Sequence, residues 1–178
     1  MIGIGKKKEK HTPHNLLITL IGGILVWLGW YGFNVGSAFT FDHIAMISFV
    51  NTVIGASAGA FGWLIFEYIL KKTTSLLGLL SGALSGLVAI TPAAGYVSYM
   101  SAMIIAIIGG ICCYIVINLI KVKLQYNDAL DAFGIHGVGG ILGAVFTGVF
   151  QSHQINSAVQ NGFIYTCLLY TSPSPRDL

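Results

Sequence analysis

The sequence predicts an all-α protein that crosses a membrane several times. Only 8% of its 178 residues are formally charged, whereas a soluble domain carries about 25%. Hydrophobic residues make up 55% of the chain, and the mean hydropathy is +0.81. This composition excludes a disordered chain, which needs low hydrophobicity and high charge. The net charge of +3 is too small to indicate a nucleic-acid partner.

Five long apolar segments account for most of the chain. Each is long enough to cross a hydrocarbon core of about 30 Å as a helix, and none shows the period-two alternation of barrel strands. We predict spans at residues 16–39, 44–70, 76–94, 96–120 and 132–150. A basic segment (1–15) precedes them. Residues 151–165 are expected to form an outer loop and the start of an incomplete span. A polar tail (166–178) follows, and it is unrelated to the rest of the chain.

The lysines predict the orientation of the spans. All eight fall before the first span, after the second or after the fourth, and therefore on one side: Lys6, Lys7, Lys8, Lys10, Lys71, Lys72, Lys121 and Lys123. The intervening loops contain neither Lys nor Arg. By the positive-inside rule the side with the lysines is cytoplasmic. The N-terminus is therefore predicted on the cytoplasmic side of a cell membrane.

Glycines recur four residues apart in four of the spans. This spacing places small residues on one helix face, where they allow helices to approach closely. We therefore predict packing faces at Gly32 and Gly36, Gly55 and Gly59, Gly78, Gly82 and Gly86, and Gly139 and Gly143.

Few ionisable residues fall within the apolar segments. Glu67 is four residues before Lys71, which favours an ion pair at the membrane border. Asp128 and Asp131 stand at the entrance of the fifth span, where carboxylates suit a helix N-terminus. His136 lies deeper in that span. By pattern alone, it could equally be a proton relay or a histidine bonded to a backbone carbonyl.

Phe33 and Ser37 form a second unusual pair, near the outer end of the first span. Their spacing of four residues places a ring and a hydroxyl on the same helix face. A cation arriving from outside would meet both a ring quadrupole and a hydrogen-bond acceptor. The same aromatic residues could instead belong to an interfacial belt.

Four ordered strings resemble the second half of ammonium transporters of the Amt/Rh family. They are GWYGFNVGSA, SFVNTVIGASAGAFGW, SLLGLLSGALSGLVAITPAAGYV and DALDAFGIHGVGGILGAVFTGVF. The resemblance implies one five-helix repeat of an inverted-repeat bundle. It further implies that Phe33 gates the pore, that Ser37 helps bind ammonium, and that His136 is one of a pair of mid-pore histidines. The resemblance also implies a homotrimer and a PII-type regulatory partner. It implies neither enzyme activity nor a cofactor.

Nothing in the sequence resembles the first half of that family, so the resemblance predicts a truncated transporter. One alternative is a chain that does not transport alone and acts only when paired with a separate first half. Another is a haem-binding or metal-binding membrane protein that uses His14 and His136 as ligands. The adjacent Cys112 and Cys113 more readily pack as small hydrophobic residues than bind metal.

Overall fold

The computed structural model describes residues 13–124, 128 and 131–170, and this part of the chain is a bundle of helices. Five helices are long and apolar enough to cross a membrane, as predicted. The helices are α1 (Leu16–Gly36), α2 (His43–Lys71), α3 (Leu76–Ile90), α4 (Tyr99–Ile115), α5 (Val138–Phe150) and the short α6 (Phe163–Tyr170). A π-helical turn (Val116–Ile120) and an α-helical turn (Lys121–Leu124) extend α4, and a second π-helical turn (Phe133–Gly137) leads into α5.

Polar residues mark the start of each of the first four helices. The side chain of Asn15 accepts hydrogen bonds from the first turn of α1, and Asp42 does the same for α2. Ser75 caps α3 and Ser98 caps α4. These caps satisfy backbone N–H groups that have no partner within the helix.

Several predicted spans end a few residues away from the helices of the structure, and two of these ends lie at a cap. The first span was predicted to continue to residue 39, but α1 ends at Gly36 and Ser37 is its C-cap. The fourth was predicted to begin at residue 96, but α4 begins at Tyr99, because Ser98 is extended and caps it. Between α3 and α4 the chain makes a 3₁₀ turn (Thr91–Ala93) containing a proline, which cannot donate a backbone hydrogen bond.

The core of the bundle consists of α2, α3 and α4, and it depends on small residues. A Cβ atom added at Gly82 would lie 2.5 Å from Trp63 Cβ and 2.9 Å from Ala60 Cα. The backbone of α3 therefore lies directly against α2. A Cβ at Gly55, Gly59 or Gly86 would also meet backbone atoms of the facing helix, and one at Gly78 would meet the side chains of Glu67 and Trp63. Gly139 and Gly143 bring α5 against Val88 and Pro92.

Two glycines of α1 do not pack as predicted. A Cβ at Gly32 or Gly36 would have nothing within 4 Å. The reason is the position of α1 at the edge of the bundle, where none of its apolar window is buried. The small-residue spacing in α1 thus leaves an open face rather than a helix contact.

The two ends of the bundle differ in charge. Lys71 Nζ lies 3.3 Å from Asn118 Oδ1, so the C-terminal ends of α2 and α4, with their lysines, are neighbours. Lys71 also pairs with Glu67 at 3.4 Å, as its spacing predicts. At the opposite end the Ser152 amide donates to the Tyr96 carbonyl and Asn156 Nδ2 to the Gly95 carbonyl. The loop after α5 is thereby fixed beside the α3–α4 connection.

Candidate functional site

A polar cavity of about 270 Å³ opens at the end of the bundle that lacks lysines. Phe33 and Ser37 both line it, as do Asp42, Tyr96 and Asn156. The Ser37 hydroxyl donates to the Phe33 carbonyl at 2.6 Å, so its oxygen retains lone pairs that can accept a further hydrogen bond. We refer to this space as the outer cavity.

A larger, mainly apolar cavity of about 520 Å³ lies on the other side of Phe33. It is bounded by α1, the end of α3 and the start of α5, and we call it the inner cavity. Phe33 and Thr91 line both cavities. His136 and Trp30 line only the inner one. The ring of Phe33 therefore stands at the wall between a polar compartment and an apolar one.

Three aromatic side chains lie beside the two cavities, on α1 and on the turn before α5. We call the side chains of Trp30, Phe33 and His136 the aromatic wall. The Trp30 and Phe33 rings meet edge to face with centroids 6.4 Å apart. The Trp30 and His136 rings are stacked, with centroids 6.2 Å apart and planes 15° apart. Trp30 Nε1 also donates to Thr91 Oγ1 at 2.8 Å, and this bond fixes the indole against α3.

His136 lies in the π-helical turn that precedes α5. Such turns add a residue to a helical turn and are frequent at functional sites. The imidazole is exposed on the face of the bundle and makes no hydrogen bond to another described residue. Both ring nitrogens are thus free, within that part of the chain, to exchange a proton or to hydrogen-bond an amine.

The two aspartates before α5 have different partners. The Asp128 carboxylate accepts from the Ala132 amide at 3.0 Å and the Phe133 amide at 2.9 Å, which is the geometry of a cap. Asp131 instead pairs with Lys121 at 2.5 Å and has a positive φ of 54°. Neither lines the two cavities described above.

Sequence reasoning did not single out three residues of the site. Trp30 and Thr91 were missed because their bond joins residues 61 positions apart, which no local pattern shows. Asp42 was missed as well, although it is an acidic residue close after Ser37 on the side without lysines. An acidic residue at this position was therefore the sequence signal that could have identified Asp42.

His14, proposed above as an alternative metal or haem ligand, is exposed and precedes α1. Within the described ranges, no group of three or more His, Cys, Asp or Glu side chains is arranged to hold a metal ion. Cys113 is buried, Cys112 is partly buried, and both are free thiols.

Five apolar helices, small-residue packing and two cavities that share Phe33 in their lining are the features of a multi-pass membrane protein. The model of the Ammonium Transporter Family matches residues 2–171. The chain therefore belongs to the ammonium transporter family.

Curated relatives and solved structures agree with this assignment. The chain is 50% identical to the ammonium transporter of Bacillus subtilis over 92% of its own length and 41% of that relative. It is 42% identical to the ammonium transporter of Aquifex aeolicus, covering 85% of the chain and 36% of the relative. The chain thus spans about two fifths of the length of these relatives.

The fold matches structures of the same family. The crystal structure of Saccharomyces cerevisiae Mep2 superposes with a TM-score of 0.82 at 34% identity, over 88% of this chain and 37% of that one. Candida albicans Mep2 superposes with a TM-score of 0.79 at 34% identity, over 87% and 34% of the two chains. The described helices are therefore an ammonium-transporter-like bundle, as the sequence predicted.

Proposed function

We propose that this chain forms one wall of an ammonium pathway and takes part in ammonium uptake. Ammonium binds in the outer cavity beside Ser37 and loses its proton near Phe33. Ammonia then passes His136, and the proton leaves through a relay in which the His136 imidazole takes part. The observation that carries the proposal is that Phe33 lines both the polar outer cavity and the apolar inner cavity, which His136 also lines.

The chemistry of the two cavities supports a change of charge between them. A cation is stabilised by the hydroxyl, carboxylate and carbonyl groups of a polar cavity, and by the face of an aromatic ring. The same cation is costly in an apolar space, whereas neutral ammonia is much less so. A neutral imidazole can hydrogen-bond ammonia and relay a proton. Potassium has no proton to lose, and the inner cavity would therefore reject it.

The exposure of the aromatic wall indicates that a second group of helices is needed to complete the pathway. Phe33 is 63% exposed, and His136 is exposed on the same side of the bundle. A pathway for ammonia needs walls on all sides to exclude water and lipid. We infer that another group of helices covers this face and supplies the partner histidine. A chain that transports only after such pairing is the second candidate function, favoured by the same exposure.

The resemblance also predicts the cellular setting of this activity. We propose a cell membrane location with the lysine-bearing end in the cytoplasm, a homotrimer, and a PII-type protein as regulatory partner. The neighbouring ends of α2 and α4, which carry Lys71, Lys72, Lys121 and Lys123, support the shared side of the lysines.

Uptake of radiolabelled methylammonium by transporter-deficient cells tests the proposal. The chain is expressed alone and together with the part of the Bacillus subtilis relative that it does not cover. His136→Ala should reduce uptake at least about tenfold, since relays of this kind contribute about 10²–10⁴ to a rate. Ile141→Ala, on the same helix and exposed but outside both cavities, is the matched control.

Three results are distinguishable. Uptake only with the added helices supports the paired chain, and uptake by the 178-residue chain alone rejects the need for a partner. Equal uptake by the His136→Ala and Ile141→Ala variants, at equal protein levels, would contradict the proposed pathway in either case.

A further inference from the structure

A single carboxylate lies in the outer cavity at the end of the bundle without lysines. Asp42 lines this cavity together with Phe33 and Ser37. The other charged side chains among residues 13–124, 128 and 131–170 belong to the opposite end, on Glu67, Asp128, Asp131 and four lysines. Asp42 is therefore the one formal charge that an incoming ion meets at the outer cavity, counting only the described residues.

The structural role of Asp42 is to cap α2, and a neutral side chain can also perform this role. Asp42 Oδ1 accepts from the Ile44 and Ala45 amides, each at 3.0 Å, and so caps α2. Serine, threonine and asparagine cap helices about as well as aspartate does. A neutral residue at this position could therefore also begin the helix, so capping alone does not require a negative charge.

The second oxygen of Asp42 has capacity for another donor. Asp42 Oδ2 accepts from the Thr40 hydroxyl at 2.8 Å, and a carboxylate oxygen has two lone pairs. The side chain is exposed to the cavity and not covered by α2. The positive end of the α2 dipole, equivalent to about half a charge, offsets only part of the carboxylate charge. A net negative potential remains at the entrance.

We propose that Asp42 is a cation-capture residue that raises the local concentration of ammonium or a small protonated amine at the outer cavity. This proposal rests on the proposed function, because it assigns a capture residue to the same pathway. Charged groups at a cavity mouth concentrate ions of opposite sign and raise their rate of entry. Asp42 would act on the affinity for the cation, while Phe33 and His136 act after the cation has entered.

Binding of methylammonium in lipid nanodiscs, to the chain purified together with the added helices of the uptake experiment, tests this role without requiring transport. Radiolabelled methylammonium is titrated at one fixed pH. The titration is repeated at about 0.01 M and about 1 M sodium chloride, where the Debye lengths are about 30 Å and 3 Å.

Two sets of variants separate charge from capping. D42N and Asp42→Ser keep a capping oxygen and remove the charge, whereas D42E keeps the charge and weakens the cap. We expect D42N and Asp42→Ser to raise the Kd about threefold to tenfold at low salt, with little change at high salt. D42E should retain the low-salt affinity of the wild type, even where its thermal midpoint falls.

Two results would overturn the assignment to Asp42. One is an unchanged Kd and salt dependence in D42N, and the other is a D42E variant that binds as weakly as D42N at low salt. A wild-type chain that binds no methylammonium would contradict the proposed function itself, and the capture role with it. The two failures are therefore distinguishable in one experiment.

Discussion

The three central helices and the aromatic wall are built in opposite ways. More than half of the apolar windows of α2 and α3 are buried, against none of α1 and 22% of the fifth span. In the core, glycine allows backbones to meet and buried polar groups join elements distant in sequence. On the wall, Phe33 and His136 stand exposed beside two cavities. Contacts among α2, α3 and α4 therefore stabilise the fold, while α1 and the segment that leads into α5 carry the residues of the candidate site.

The largest expected effect comes from adding one methyl group to the core. In Gly82→Ala the new Cβ would lie 2.5 Å from Trp63 Cβ and 2.9 Å from the backbone of Ala60. Helix backbones cannot move apart without losing contacts, so we expect destabilisation by about 3 kcal/mol. The measurement is the thermal midpoint of the detergent-solubilised protein.

Gly22→Ala is the matched control for that variant, because a Cβ there meets nothing within 4 Å. It should leave the midpoint unchanged or raise it slightly, since alanine favours a helix over glycine. If both variants lose equal stability, the contrast between a close-packed core and an open α1 is wrong.

The next effect concerns a buried amide that joins α2 to the α3–α4 connection. Asn51 Nδ2 donates to the Ala94 carbonyl at 2.8 Å and to the Val97 carbonyl at 2.9 Å. Asn51→Ala would leave both buried carbonyls without these donors, at a cost of about 2 kcal/mol or more. Chemical or thermal unfolding of the variant measures the loss.

Asn118→Ala provides the comparison for Asn51. Asn118 is only partly buried. It donates to the Tyr114 carbonyl one helical turn away and accepts from the exposed Lys71 Nζ at 3.3 Å, so its removal should cost less than about 1 kcal/mol. A larger loss from Asn118→Ala than from Asn51→Ala would show that the α3–α4 connection is not held from α2.

The smallest expected effect is a pH dependence of the free energy of unfolding that arises from Asp42, the cap of α2. The Ala45 amide, followed by the Thr40 hydroxyl, holds the pKa of the Asp42 carboxyl below its usual value of 3.8. A lowered folded-state pKa stabilises the fold above the unfolded-state pKa, and that stabilisation disappears as the pH falls through the folded value. The wild type should therefore lose stability relative to D42N between about pH 5 and pH 3.

Thermal midpoints of wild type and D42N, measured in parallel across that range, check this expectation. The other carboxylates are common to both proteins and cancel in the difference. A difference that stays constant with pH would mean that the Asp42 carboxylate gains nothing from its hydrogen bonds.

The fold was largely predictable because hydropathy alone locates spans. Continuous apolar runs locate five helices, and the helix ends that differ, at Gly36 and Tyr99, lie where a local cap decides. The π-helical turn that contains His136 was not predictable, since its hydrogen bonding has no period in the sequence. Gly32 and Gly36 were expected to pack, but small-residue spacing does not say whether a neighbour is present.

The site was predictable only in part. The pattern pointed to Phe33, Ser37 and His136 separately, and the structure brings Phe33 and Ser37 to one cavity and Phe33 and His136 to the next. Trp30, which connects the last two through ring contacts, reaches His136 only because the fold brings α1 beside the π-helical turn (Phe133–Gly137). That contact joins residues about a hundred positions apart and has no local signal.

One paired measurement tests the division of roles between the close-packed core and the aromatic wall. Methylammonium uptake and the thermal midpoint are determined for His136→Ala and Asn51→Ala, with uptake expressed per folded protein, in the helix combination that supports uptake. We predict that His136→Ala keeps the wild-type midpoint and loses uptake, while Asn51→Ala loses stability and keeps uptake. The reverse pattern, with uptake retained by His136→Ala and lost by folded Asn51→Ala, would contradict the account.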